Sequence, residues 1–367
     1  MRMINEELTK LTTNYPIEKI APKEDILFLD IETTGFTARS SYLYLIGCVY
    51  YKNNSFRLVQ WFAEQYEEED RVLGAFFDFA KDFRVLIHYN GNHFDIPYLE
   101  QKAAQYNIPS PLSKMEGIDL YRRVAPLKGF LKLPNLKQKT IEAYLGIERE
   151  DTFSGGELIG VYHDYVKQSS EFARDTLLLH NEDDIQGMVQ ILPILAYADL
   201  YQEGVRVTKV NANYYRDFNN DARAEIVMKL SLPVPFPVSA SGCANGCYFT
   251  GNGTEASLKV PLLNGELKYF YANYKDYYYL PAEDTALHKS VSSFVDKEHR
   301  FQATAATCYT RKCSEYLPEW KPLFLPVFKP SYDSKETYFE LTDDFKKDRD
   351  AFAAYATHVL HMIINDK

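Results

Sequence analysis

At 367 residues the chain is long for one compact core and comfortable for two domains. Apolar residues make up 46% and charged residues 25%, as in soluble globular proteins, and no apolar run reaches the length of a membrane span, which excludes a transmembrane helix. The net charge of −10 excludes nucleic-acid binding through global charge, though not through a local basic groove, and carboxylates gathered to hold cations would themselves inflate the negative count.

The start, "MRMINEELTK", carries acids where a secretory signal needs an apolar core. Five scattered cysteines, an odd number, favour reduced thiols, so a cytoplasmic location is expected. Residues 1–23 read as a polar N-terminal arm. "DILFLDIETTG" is the first strand, and "SYLYLIGCVYYKNNSFRLVQWFAE" gives two more, joined at Lys52-Asn53-Asn54. Val72, Leu73, Phe76, Phe77 and Ala80 share one helical face. "RVLIHYNG" is a strand apolar on both sides, followed by the helix "DIPYLEQKAAQYNI", which admits Pro97 in its first turn. Residues 119 to 147 read as further helical segments, then a polar loop "EREDTFSGG" and the helical "ELIGVYHDYV". Ile185, Met188, Val189 and Leu192 form an apolar helical stripe. The pattern predicts an α/β domain, a mixed sheet covered by helices, over residues 24–200.

Beyond residue 200 the texture changes. "LSLPVPFPVSASG" is a boundary or edge segment. β patterns follow, with Asn264-Gly265 a hairpin signal. "AEDTALHKSVSSFVDKEHR" looks helical, and "FKKDRDAFAAYATHVLHMII" closes the chain as an amphipathic helix. Residues 201–367 are expected to form a second, α+β domain of unassigned fold.

Three stretches carry chemistry. Asp30 and Glu32 end the first strand two residues apart, so their carboxylates share a face. Buried like charges about 4 Å apart repel by about 4 kcal/mol at an effective dielectric near 20, and a cation is the obvious compensation. Asp95 opens the helix in "HYNGNHFDIPYL", and in "LLHNEDDI" His180 and Asp184 stack at i and i+4. Singly, each admits a plain reading: a solvated strand end, a helix N-cap, a surface pair.

Together, Asp-x-Glu at a first strand, Asn-x4-Asp, and an aromatic or His four residues before Asp resemble the pattern of DEDD-type 3′→5′ exonucleases. "HYNGNHFDIPYL" is similar to the second motif of family B DNA polymerase proofreading domains. Residues 24–200 resemble bacterial RNase H-like predicted exonucleases, which implies an RNase H-like mixed sheet. The resemblance implies that Asp30, Glu32, Asp95 and Asp184 hold two divalent cations, Mg²⁺ or Mn²⁺, and that His180 is the general base. Relatives with His usually place it five residues before the Asp; here it stands at four, where Tyr is usual, so Asp183 is an alternative ligand in a shifted register. Thr33, Thr34, Gly35 and Phe36 stand where family members contact the terminal nucleotide. Phe36 is a wedge against the last base or, more simply, a core residue; Asn90 bonds substrate or fixes the turn at Gly91. Asp119 reads as a helix cap and His93 as a surface or packing residue. The partner implied is an unpaired nucleic-acid 3′ end, with no membrane. An RNase H-like endonuclease and a binding module with a vestigial nuclease site are the competing readings.

Overall fold

The computed structural model describes residues 1–149 and 155–365; most of the polar loop read at "EREDTFSGG" lies outside them. The chain divides into two compact units, Met1–Ala198 and Asp199–Lys367.

The first unit is built on six strands: β1 (Arg2–Leu8), β2 (Ile26–Thr33), β3 (Leu43–Lys52), β4 (Ser55–Phe62), β5 (Val85–His88) and β6 (Glu116–Asp119). Their order is β1-β4-β3-β2-β5-β6, antiparallel from β1 to β2 and parallel from β2 to β6. The mixed α/β architecture is as expected. The N-terminal arm is not: residues 2–8 are an edge strand, with Arg2 opposite Phe62 and Leu8 opposite Phe56. β1 is mostly exposed and shows no apolar alternation, so its pairing comes from main-chain groups that β4 would otherwise leave open. β6 also went unread; only four residues long, it exposes two. Between β3 and β4, Lys52 pairs with Ser55, and Asn53 (φ 54°) and Asn54 (φ 64°) make a two-residue left-handed turn, which asparagine tolerates.

Seven helices accompany this unit among the described residues: α1 (Glu69–Ala80), α2 (Asp95–Tyr106), α3 (Leu120–Val124), α4 (Gln138–Leu145), α5 (Gly155–Gln168), α6 (Glu171–Gln190) and α7 (Leu195–Glu203), the last running across the division. α1 buries Val72, Leu73, Phe76, Phe77 and Ala80 as its spacing predicts, and its Phe76 and Phe79 meet Trp61 and Tyr50 of the sheet. α6 crosses β2, β3 and β4 on the opposite face, where Gln60 reaches its main chain.

The second unit is β-rich: β7 (Arg206–Arg216), β8 (Ala222–Ala244), β9 (Cys247–Pro261), β10 (Leu263–Phe270), β11 (Tyr277–Leu280), β12 (Thr285–His288), β13 (Phe301–Gln302), β14 (Tyr309–Glu319), β15 (Val327–Phe328) and β16 (Thr337–Glu340), then α8 (Asp343–Lys347) and α9 (Arg349–Asn365). They form sheets β7-β8-β9, β10-β14-β16-β15 and β12-β11-β13, and α9 packs on the first. The hairpin signal at Asn264-Gly265 misleads. Both residues lie inside β10, paired with Glu315 and Ser314, and the turn forms instead at Asn245-Gly246, both left-handed, between β8 and β9. The helix read over "AEDTALHKSVSSFVDKEHR" is also absent: β12 pairs with β11 and short 3₁₀ turns follow at Ser292–Phe294 and Lys297–His299. Strand pairing outweighs a helical pattern that has no continuous buried stripe, for Val291 and Phe294 are exposed. All five cysteines are unpaired, and no helix of the described residues is long and apolar enough to cross a membrane.

Candidate active site

β2 is the central strand, where antiparallel and parallel halves of the sheet meet. Its parallel pairing with β5 ends at Phe28–Ile87, so β2 runs on past that neighbour, carrying Asp30 and Glu32 beyond the parallel half of the sheet. The freed main chain needs new acceptors. Asp95, the first residue of α2, provides one: the Ile31 N–H and its own N–H both bond its carboxylate.

α6 brings the third motif over the same strand. His180 is 4% exposed, with Nε2 3.5 Å from Glu32 Oε1 and 3.3 Å from Asp184 Oδ2. Ligand atoms of Glu32, His180 and Asp184 all lie within 4.8 Å of one another, a group able to hold a metal ion. Burial raises the Asp30 carboxyl well above its ordinary range, and the charges of Asp184, Glu32 and Asp95 raise it further, while an Asn181 hydrogen bond pulls it down. Burial likewise pushes Asp95 up to about 7, with Asp119 and Asp184 adding to it against the two main-chain N–H groups. Glu32 and Asp184 thus flank the His180 imidazole, and buried Asp30 and Asp95 lie near enough to feel the charge of the acids around them. Their mutual repulsion is what hard oxygen-seeking divalent cations relieve, so the donor set fits such ions.

On α6, Asp184 pairs with His180 and bears on Asp30. Asp184 also meets Arg149, which in turn is ion-paired to buried Glu142. Sequence reasoning missed Arg149, Glu142 and Asn181; Arg149 lies in the polar loop that offered no periodic signal.

The loop after β2 is held firmly. Thr33 Oγ1 donates to Gly35 O at 2.9 Å, and Thr34 Oγ1 accepts from Tyr42 N at 2.8 Å. A buried ion pair, Lys102 Nζ to Glu69 Oε1 at 2.7 Å, anchors the returning strand, for Lys102 also donates to Ser41 O and Glu69 accepts from Leu43 N. Phe36, held by this loop, is 88% exposed, with its ring 5.9 Å from that of Phe94, edge to face. The core-packing reading of Phe36 fails, because the fixed loop aims it outward beside Asp95.

Asn90 fixes the turn: it is left-handed (φ 60°), its N–H donates to Asp119 Oδ1 at 2.9 Å and its carbonyl accepts from His93 N. His93 is exposed. Asp119 does cap α3, accepting from Tyr121 N at 3.1 Å, but it is also 4% exposed, and its Oδ2 accepts no hydrogen bond among the described residues, with Arg122 Nε 3.9 Å away. His88 opposes it on β5 with Nδ1 accepting from Gly91 N and Nε2 making no hydrogen bond among the described residues, so a buried polar pair supports the Asp95 turn from below.

Residues 27–196 match the family RNase_H_2 of the RNase_H superfamily and form an RNase H-like domain. No curated protein matches the chain. Among solved structures, it is similar to the family B DNA polymerase of the hyperthermophilic archaeon Pyrobaculum calidifontis (14% identity, TM-score 0.38, covering 70% of this chain and 35% of that one). It is also similar to E. coli Exonuclease I in complex with a dT13 oligonucleotide (11% identity, TM-score 0.29, covering 56% and 54%). The chain thus spans about a third to a half of these structures' own lengths.

Proposed function

We propose that the RNase H-like domain is a metal-dependent 3′→5′ exonuclease releasing nucleoside monophosphates from unpaired nucleic-acid ends. One observation carries the reading: Glu32, His180 and Asp184 bring ligand atoms within 4.8 Å of one another, and the charges of Asp184 and Glu32 bear on buried Asp30. A structural cluster has no use for that repulsion, whereas a divalent-cation site does. Mg²⁺ or Mn²⁺ held by the carboxylates of Asp30, Glu32, Asp95 and Asp184 would activate the attacking water and stabilise the departing oxygen of the phosphodiester.

The remaining chemistry belongs to the chain. His180, with Nε2 turned to Glu32 and Asp184, accepts the proton of the attacking water. The water oxygen bonds to phosphorus as the bond to the 3′ oxygen breaks, and that oxygen takes up a proton to leave as a hydroxyl. Phe36, exposed and backed by Phe94, stacks on the terminal base, while Thr33, Thr34 and Gly35 shape the loop beneath it. Asn90 holds the Asp95 turn through its main chain.

The test uses a linear strand labelled at its 5′ end, the same strand closed into a circle, and Mn²⁺. Stepwise shortening of the linear strand with the circle intact is expected, abolished by Asp30→Asn. Cleavage of the circle would replace the exonuclease with an RNase H-like endonuclease. Binding without hydrolysis in Mn²⁺ would mark the site as vestigial.

A further inference from the structure

The sheet β7-β8-β9 carries a feature that the nuclease reading leaves unused. Prolines at 233, 235 and 237 occupy β8 just beyond Ser231, the last β8 residue paired with β7. Proline has no N–H for a ladder, so β8 loosens there from β9 as well. From Ser231 to Phe236 five steps of β8 face two of β9, and from Phe236 to Ala240 four face two. Bulges of this size bend a sheet, and here they open a groove of about 970 Å³ on its outer face.

Alternation decides what lines it. Met228, Leu230 and Phe249 turn inward and are buried, so Lys229, Ser231, Tyr248 and Thr250 turn outward. Arg206, Lys209 and Lys229 are exposed in the groove against one acid, Glu255, and none of the three is in an ion pair among the described residues. On a chain of net charge −10, this is a local inversion of sign. Ser231, Ser239, Ser241, Thr250 and Ser257 add a grid of hydroxyls, and Tyr248 is 45% exposed. Cations and hydroxyls at strand spacing match phosphate oxygens repeated along a backbone, and an open ring accepts any base. An apolar partner finds no matching surface here.

We propose that this groove binds the sugar-phosphate backbone of single-stranded nucleic acid; the choice of substrate class rests on the nuclease reading. The experiment uses the full chain with chelator and a labelled oligonucleotide of about fifteen residues, followed by anisotropy across a salt series. Combined Arg206→Ala, Lys209→Ala and Lys229→Ala is expected to weaken binding about tenfold and to flatten the log–log salt slope by about 2, three contacts at about 0.7 each. Tyr248→Ala should weaken binding several-fold with the slope unchanged. Both variants should hydrolyse a dinucleotide at the wild-type rate, since neither changes a residue of the nuclease site. Binding and slope unchanged in both variants, in a protein that still hydrolyses ends, overturns the groove assignment and leaves the nuclease standing. A wild type that binds acidic peptides or anionic vesicles through these residues, but no oligonucleotide, also overturns it. A wild type that neither binds nor hydrolyses any strand removes the nuclease reading together with it.

Discussion

Asn181 donates from Nδ2 to Asp30 Oδ2 at 2.8 Å, and its Oδ1 accepts from Gln60 Nε2 at 2.9 Å. Asp30, Gly47 and Gln60 lie directly across β2, β3 and β4 from one another, so one side chain of α6 reads a whole row of the sheet. Gly47 makes this possible, since a Cβ there would come within 1.9 Å of Asn181 Oδ1. Asn181→Ala should therefore slow hydrolysis by freeing the Asp30 carboxylate. It should also cost about 1–3 kcal/mol of stability by taking one acceptor from the amide of buried Gln60, whose other hydrogen bond, to Leu178 O, remains. Steady-state rates and chemical denaturation check this; a variant of wild-type rate and stability would dissociate Asn181 from Asp30.

Stability should depend on pH in the opposite sense to most acid clusters. Asp30 and Asp95 have folded-state pKa values above those of the unfolded chain, so the fold favours their protonated forms. That contribution is full below an unfolded carboxylate pKa of about 4 and is lost as pH rises through about 7. Chelated protein should melt at lower temperature at pH 8 than at pH 5.5, and Mn²⁺ should raise the melting temperature more at the higher pH, by roughly the stability lost. A metal-induced shift that is the same at both pH values would be evidence against cation binding by these carboxylates.

Arg149 bridges Glu142 and Asp184. Glu142 is 1% exposed, and removing the partner of a buried ion costs about 3–5 kcal/mol. Arg149→Met should lower the melting temperature clearly. With Glu142→Leu added, the stability should largely return, because the orphaned charge goes too. The same pair of variants should bind Mn²⁺ more tightly than wild type, since a fixed positive charge beside Asp184 has been withdrawn; calorimetric titration measures it.

Phe36→Ala should leave the melting temperature unchanged, because the ring is 88% exposed. The KM for a single strand should rise by a factor corresponding to about 1–3 kcal/mol of lost stacking. An unchanged KM would leave the exposed ring unexplained.

The sequence made the first unit readable where side chains are sorted by burial. β2 and β3 are buried at nearly every residue and stand out as continuous apolar runs, while the buried face of α1 repeats at the helical period, so these elements are legible. β1 and β6 hold their places through main-chain pairing with neighbours far along the chain, which no local pattern records. The acids were legible because two carboxylates on one strand face demand an explanation. Asn181 and Arg149 were not, because an amide or a guanidinium looks the same in a sequence whether it meets solvent or an aspartate. Asn264-Gly265 shows the reverse failure, a strong local turn signal overridden by pairing with β14.

The proline run in β8 has one more effect. Past the end of β7, that strand would otherwise present a bare row of donors, the adhesive rim through which sheets of separate molecules stick together and grow. With residues 233, 235 and 237 unable to donate, the rim is blunted where it is most open, so crowded copies of the chain are discouraged from zipping edge to edge.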